Sequence, residues 1–128
     1  MATVDRGRPL NVLIVEDNKG AAGVFQALFN VHGHRAVVAH DGSQALDMAR
    51  KESLDVVICD LGLPDMDGFE VVRRMRADPA IPYHPVCALT SRTDEVSRRK
   101  AAEVGFDGYI VKPPNFPELI GFLKKYQR

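Results

Sequence analysis

The stretch Val56-Val57-Ile58-Cys59 ends abruptly in Asp60 and gives way to Leu61-Gly62-Leu63-Pro64-Asp65-Met66-Asp67-Gly68. An uninterrupted apolar run of this kind reads as a strand buried on both faces of a parallel sheet. Gly62, Pro64 and Gly68 are loop punctuation, so Asp60 stands where the strand leaves the sheet. Open α/β sheets bind their ligands beyond the carboxyl ends of the strands. An Asp at that point is either a loop cap or a working carboxylate.

The same grammar recurs along the chain. Leu10 to Val15 reads as a first buried strand, closed by Glu16-Asp17-Asn18, two acids and a helix-capping residue. The helix that follows, about 19–31, carries Val24, Phe25, Leu28 and Phe29 on one face and stops at Gly33. Gly20 and Gly23 weaken its first turns by up to about 1 kcal/mol each. Ala36 to Ala39 is a second strand, and Asp41-Gly42-Ser43 opens a helix carrying Ala45, Leu46, Met48 and Ala49 to about Glu52. Past the Asp60 loop, Phe69, Val71, Val72 and Met75 mark a third helix, and Pro79, Pro82 and Pro85 enforce a loop. Pro85 to Thr90 is a fourth strand that ends in a hydroxyl. Ser91 to Val104 reads as a basic helix with Arg92, Arg98, Arg99 and Lys100, ended by Gly105. Gly108 to Val111 is a fifth strand, ending in Lys112-Pro113-Pro114. A last helix, about Asn115 to Tyr126, carries Leu119, Ile120, Phe122 and Leu123. Residues 1–9 read as a flexible lead-in with Arg6 and Arg8 solvated, and 10–128 as one domain long enough to bury a proper core.

Strands alternating with helices predict an α/β domain with a parallel sheet and right-handed crossovers. Such crossovers put every strand exit on one edge, so Glu16, Asp17, Asp60, Thr90 and Lys112 share that edge. Three close carboxylates repel one another, and their joint ionisation calls for a cation. Their oxygens suit a hard divalent ion, Mg²⁺ above all. Lys112 offers a point positive charge for a phosphate and Thr90 a hydroxyl donor. Together these groups suit a phosphoryl group in transfer, with Asp60 as the nucleophile. Each has a plainer reading: Glu16-Asp17 as helix cap, Thr90 as ordinary strand end, Lys112 as solvated side chain. That all of them fall at strand exits favours the joint reading.

Composition narrows the function further. The formal net charge is zero, so nothing points to general binding of nucleic acid or of an acidic membrane. No apolar run approaches bilayer length, and the polar start, Met1 to Pro9, lacks a signal core, so a cytoplasmic location is expected. Cys59 and Cys87 sit in strand-like runs and read as buried free thiols. A flavin-binding protein would need a Ser/Thr/Gly-rich phosphate loop after the first strand, where Glu16-Asp17 would repel the phosphate.

As a set, Val15-Glu16-Asp17, Asp60 with Leu63-Pro64 and Met66-Asp67-Gly68, Ala88-Leu89-Thr90-Ser91 and Lys112-Pro113 resemble the receiver domain of bacterial two-component response regulators, of the chemotaxis-regulator kind. The resemblance covers about Leu10 to Tyr126. It implies a flavodoxin-like doubly wound (βα)5 fold with strand order 2-1-3-4-5. It implies that Glu16 and Asp17 form an acid pocket, that Asp60 accepts phosphate, and that the carbonyl of Gly62 completes the Mg²⁺ shell. Thr90 is then the switch hydroxyl, Tyr109 the aromatic that turns inward on phosphorylation, and Lys112–Pro113 a cis peptide. The implied donor is a sensor histidine kinase or a histidine phosphotransfer protein of a two-component or phosphorelay system. The domain would catalyse its own phosphorylation and dephosphorylation without being a conventional enzyme, as a monomer or weak dimer, with no direct contact to nucleic acid or membrane. Arg98, Arg99 and Lys100 would contact an output partner, against the plainer reading of a solvated helix face. A pseudo-receiver used only for protein contact is the competing reading, and the intact acid pocket and Lys112 count against it.

The chain departs from the family pattern at Pro113-Pro114, where the usual single proline is doubled, and at Pro117 in the last helix. Gly62 and Arg92 stand two residues beyond Asp60 and Thr90. A Gly has no side chain to orient a hydrolytic water, and an Arg has no acceptor to activate one. Arg92 suits a place over the phosphoryl oxygens, against the plainer reading of a solvent-facing side chain that caps its helix, and slow self-dephosphorylation is expected.

Overall fold

The computed structural model describes residues 7–127. The apolar runs become β1 (Asn11–Val15), β2 (Arg35–Ala39), β3 (Val56–Cys59), β4 (Val86–Thr90) and β5 (Gly108–Val111). Between and after them lie α1 (Lys19–Val31), α2 (Gly42–Lys51), α3 (Gly68–Ala77), α4 (Glu95–Val104) and α5 (Phe116–Lys124). The strands form one parallel sheet in the order β2-β1-β3-β4-β5. Adjacent parallel strands joined through helices are the doubly wound arrangement, with the order reversing between β1 and β3.

Helices cover both faces, which is why the strands are apolar without alternation. Leu13, Val15, Val57, Cys59, Val86 and Ala88 pack with α2, α3 and Ala101 of α4. Val12, Ile14, Val56, Ile58, Cys87, Leu89 and Ile110 pack with α1 and α5. Cys59 and Cys87 therefore point to opposite faces; both are free and buried, and burial pushes the Cys87 thiol up to about 12. No helix among the described residues is long and apolar enough to cross a membrane.

Every helix starts on an Asn or Asp whose side chain accepts a first-turn N–H: Asn18, Asp41, Asp67, Asp94 and Asn115. Each such cap contributes about 1 kcal/mol. One of them corrects the sequence reading. Asp94 accepts from both the N–H and the hydroxyl of Ser97, at 2.9 Å each, so α4 starts at Glu95 and residues 91–94 are loop. The last helix likewise ends at Lys124, short of Tyr126. Gly105 closes α4 with φ +114°, a left-handed conformation that glycine alone adopts without strain.

Of the expected lead-in, Arg6 lies outside the described residues. Arg8, expected to be solvated, instead pairs with Asp55, Nη2 to Oδ1 at 3.2 Å. Asp55 also accepts the Asn11 N–H at 2.7 Å, which ties the segment before β1 to the start of β3.

His34 is buried just before β2, and its Nδ1 accepts the Leu10 N–H at 3.0 Å. Burial, then the neighbouring His32 charge, pulls its pKa below the ordinary value. The folded protein thus binds this proton less readily than the unfolded chain does. The stability contributed by neutral His34 is fully present above the unfolded value near ~6.5 and is lost as pH falls through the lower folded value. His84, buried and with its pKa lowered by burial and by Arg76, adds a slope of the same sign. We expect urea midpoints to fall from pH 7.5 to pH 5 in the parent and to fall less in His34→Gln. An equal slope in both proteins would remove His34 from the account.

Candidate functional site

Backbone register brings the strand exits into one row. Val15 pairs with Cys59 and Cys59 with Ala88, while Thr90 pairs with Val111. The ladder continues one step past the strands: the Asp60 N–H donates to the Val15 carbonyl at 2.9 Å and the Lys112 N–H to the Thr90 carbonyl at 2.8 Å. Glu16, Asp60 and Lys112 each directly follow a strand, so their side chains rise from a fixed base.

Glu16 is buried, Asp60 partly buried and Asp17 exposed. Carboxylate oxygens of the three lie within 4.8 Å of one another. The Lys112 ammonium bridges two of them, bonding Glu16 Oε1 and, at 3.2 Å, Asp60 Oδ2. Burial pushes the Glu16 carboxyl above its ordinary pKa, although Lys112 and the Asn18 N–H pull the other way. Burial also works against the charged form of Lys112, but the Glu16 and Asp60 carboxylates outweigh it and hold its pKa up. One ammonium among three carboxylates leaves the cluster net negative. The donors are hard oxygens, converging at the mouth of a sheet edge, and this set fits a divalent cation.

The loop after Asp60 is drawn tight. The Gly62 N–H donates to Asp60 Oδ1 at 3.2 Å, and a Cβ at Gly62 would meet nothing within 4 Å. Gly68 is the opposite case: a Cβ there would lie 2.3 Å from the Asp60 carbonyl oxygen and 2.9 Å from Leu61 Cα. Those are backbone atoms and cannot swing away. Gly68→Ala should therefore lower stability by about 1–3 kcal/mol, as overpacked sites do, and shift the Asp60 amide in NMR spectra. Retained melting temperature with an unmoved Asp60 resonance would show that the loop yields freely.

Thr90 is buried, and its Oγ1 accepts the Arg92 N–H at 3.2 Å. Tyr109 is half-buried, and its hydroxyl donates to the Arg92 carbonyl at 2.9 Å. The two expected switch residues thus hold the same short backbone segment from either side. The Arg92 guanidinium lies 5.8 Å over the Phe69 ring, and Arg98 lies 4.7 Å over the Tyr109 ring. The Lys112–Pro113 peptide is cis.

Two groups at the site carried no signal in the sequence reading. Asp65 accepts the Gly42 and Ser43 N–H groups at 2.8 and 2.9 Å, so a carboxylate from the Asp60 loop caps α2. His40 Nδ1 lies 3.0 Å from the Glu16 carbonyl oxygen. Both contacts span more than twenty residues, a separation that no local pattern records.

The model of the response regulator receiver domain family matches residues 12–124. The polar-differentiation response regulator DivK of Brucella anthropi is 31% identical over 118 residues, 92% of this chain and 96% of its own length. The transcriptional regulatory protein CreB of Escherichia coli is 42% identical over 103 residues, covering 80% of this chain but 44% of CreB, so the chain spans less than half of that relative. Among solved structures, the receiver domain of a Pseudomonas aeruginosa sensor histidine kinase, with magnesium ion coordinated in its active-site cleft, superposes with a TM-score of 0.84 at 29% identity. That match covers 93% of this chain and 98% of the other.

Proposed function

This chain belongs to the response regulator receiver domain family, whose members are phosphoacceptors in two-component signalling, and from that premise we propose that Asp60 is the residue that takes the phosphoryl group. The observation that carries the assignment is the Lys112 ammonium seated between Asp60 and Glu16 at the merged strand ends. Receivers work with histidine kinases or histidine phosphotransfer proteins. In the transfer, an Asp60 carboxylate oxygen attacks phosphorus in line, its O–P bond forming as the P–N bond of the donor's phosphohistidine breaks. Glu16, Asp17, Asp60 and the Gly62 carbonyl would hold Mg²⁺, which when bound neutralises charge on the phosphoryl oxygens. Lys112 then releases a carboxylate to donate to a phosphoryl oxygen, and its charge stays fixed beside the developing negative charge.

The switch follows from the contacts around Arg92. For the Thr90 hydroxyl to reach a phosphoryl oxygen, it gives up the Arg92 N–H. The segment is then released on one side, the Tyr109 hydroxyl loses its hold on the Arg92 carbonyl, and the ring turns into the vacated space. Phosphorylation would bias two arrangements of residues 90–109 rather than create one.

The test is intact mass after incubation with acetyl phosphate. One added phosphoryl group, base-labile and dependent on Mg²⁺, supports the reading, and no uptake with Mg²⁺ refutes it. The lifetime can be read in the same sample. A Cβ at Gly62 would meet open space, and the Arg92 guanidinium, expected over the phosphoryl oxygens, lies 5.8 Å over the Phe69 ring; neither residue supplies an acceptor that could activate a water. We expect slow decay in the parent. Gly62→Asn or Arg92→Glu should speed it by about tenfold, the effect of one orienting group. Rapid decay in the parent, or no acceleration in either variant, would place the control of lifetime elsewhere.

A further inference from the structure

The protein is neutral overall, with 17 basic and 17 acidic residues, but its cations are unevenly paired. Arg8, Arg35, Arg50, Arg73, Arg74 and Arg76 each have a carboxylate within 4 Å. Among the described residues, the arginines without one are Arg92, Arg98 and Arg99, all on α4 or the loop before it. Arg92 and Lys100 lie over the Phe69 ring at 5.8 and 4.6 Å, and Arg98 over the Tyr109 ring at 4.7 Å. Among the described residues, Arg99 has neither an aromatic ring nor a carboxylate against it. Across from it on α3, Arg73 shares the single carboxylate of Glu70 with Arg74, at 2.5 and 2.8 Å.

Three of these cations, Arg73, Arg99 and Lys100, line a groove of about 340 Å³ between α3 and α4, together with Val96, Glu103 and Val104. Val96 is 71% exposed in the midst of the charges. Two of the cations beside it, Arg99 and Lys100, have no carboxylate within 4 Å among the described residues. Interfaces combine these two features, an apolar centre and a charged rim.

We propose that the α3–α4 groove docks an acidic segment of a partner protein, with an aliphatic or aromatic side chain over Val96 and Val104 and carboxylates against Arg73, Arg99 and Lys100. Charge complementarity selects this occupant. A second copy meeting the same patch across a two-fold axis would set like charges against each other. A nucleic-acid backbone has no apolar side chain to set over Val96 and Val104, whereas a peptide segment does. The groove shares no residue with the cluster of Glu16, Asp17, Asp60 and Lys112, so the proposal stands apart from the assignment of Asp60.

The experiment uses the unphosphorylated chain, without Mg²⁺ or phosphodonor. The probes are fluorescein-labelled acidic dodecapeptides with a central Leu, Ile or Phe, their Gln-for-Glu counterparts, and a single-stranded DNA oligonucleotide of equal charge. Fluorescence anisotropy gives affinity, and amide NMR shifts give location. The expected result is saturable binding of an acidic peptide, with shifts at residue 73 and along 96–104, unchanged in Asp60→Asn. Affinity should fall by about tenfold or more in the double variant Arg99→Glu, Lys100→Glu, as expected for reversed interfacial charge. Val96→Ser, which keeps every charge, should weaken binding as well. Circular dichroism of each variant confirms that it is folded. No saturable binding by any acidic peptide, equal binding of the Gln counterparts, shifts centred on Tyr109, or tighter binding of the oligonucleotide would each overturn the proposal.

Discussion

Asp60→Asn should abolish phosphate uptake while leaving the fold intact. The amide has nearly the shape of the carboxylate but no negative oxygen to attack phosphorus, and loss of a nucleophile lowers rates by on the order of 10³-fold or more. Lys112 keeps its bond to Glu16 in the variant, so the strand ends remain tied together. Removing one of three mutually repelling carboxylates should leave the melting temperature unchanged or slightly raised. The measurement is intact mass after incubation with acetyl phosphate and Mg²⁺, alongside a thermal melt. Uptake equal to the parent would assign the acceptor to another residue. A sharp fall in melting temperature would show that Asp60 holds the loop together as a cap, the plainer of its two readings.

Asp17→Asn should weaken Mg²⁺ binding by about tenfold or more. A unit charge at ~4 Å contributes about 1 kcal/mol in bulk water and about 4 kcal/mol near a protein surface, and a divalent ion feels twice that. Asp17 is exposed, so the lower part of this range applies. Unlike Glu16 and Asp60, it is not engaged by Lys112 and makes no hydrogen bond or ion pair among the described residues. Its replacement therefore removes charge with little structural cost. Lys112→Ala is the counterpart: it removes a competing cation, so Mg²⁺ binding should stay equal or tighten while phosphate uptake and the switch are impaired. Calorimetric titration of both variants decides the matter. Unchanged affinity in Asp17→Asn would take that residue out of the metal set.

Much of the fold and of the site is legible in the order of residues alone. The apolar runs, Asn18, Asp41 and Asn115 at the starts of α1, α2 and α5, and the glycines after α1 and α4 are local signals, carried by a handful of neighbouring residues. Parallel pairing then obliges Glu16, Asp60, Thr90 and Lys112 to meet, because each directly follows or ends a strand. The start of α4 departs from the sequence expectation for an equally local reason. Ser91 and Asp94 are both good caps. The choice of Asp94 rests on its two bonds to Ser97, whereas the N–H of Arg92 is taken by Thr90 Oγ1.

The amino-acid order by itself thus determined which segments are strands, that they run parallel, and which polar groups stand at their exits. Tertiary structure alone decided which face each strand residue serves. In a strand buried on both sides the pattern is uniformly apolar, so the phase that sends Cys59 to the α2–α3 layer and Cys87 to the α1–α5 layer leaves no mark in the sequence. It also decided the partners of the long polar side chains. Asp65 reaches Gly42, Arg8 reaches Asp55, Arg98 lies on Tyr109, and Arg99 is left without a carboxylate among the described residues. Such pairings join residues far apart in the chain, and they are set by where the packed helices and loops come to rest, since a flexible charged side chain takes whichever partner the packed surface brings within reach.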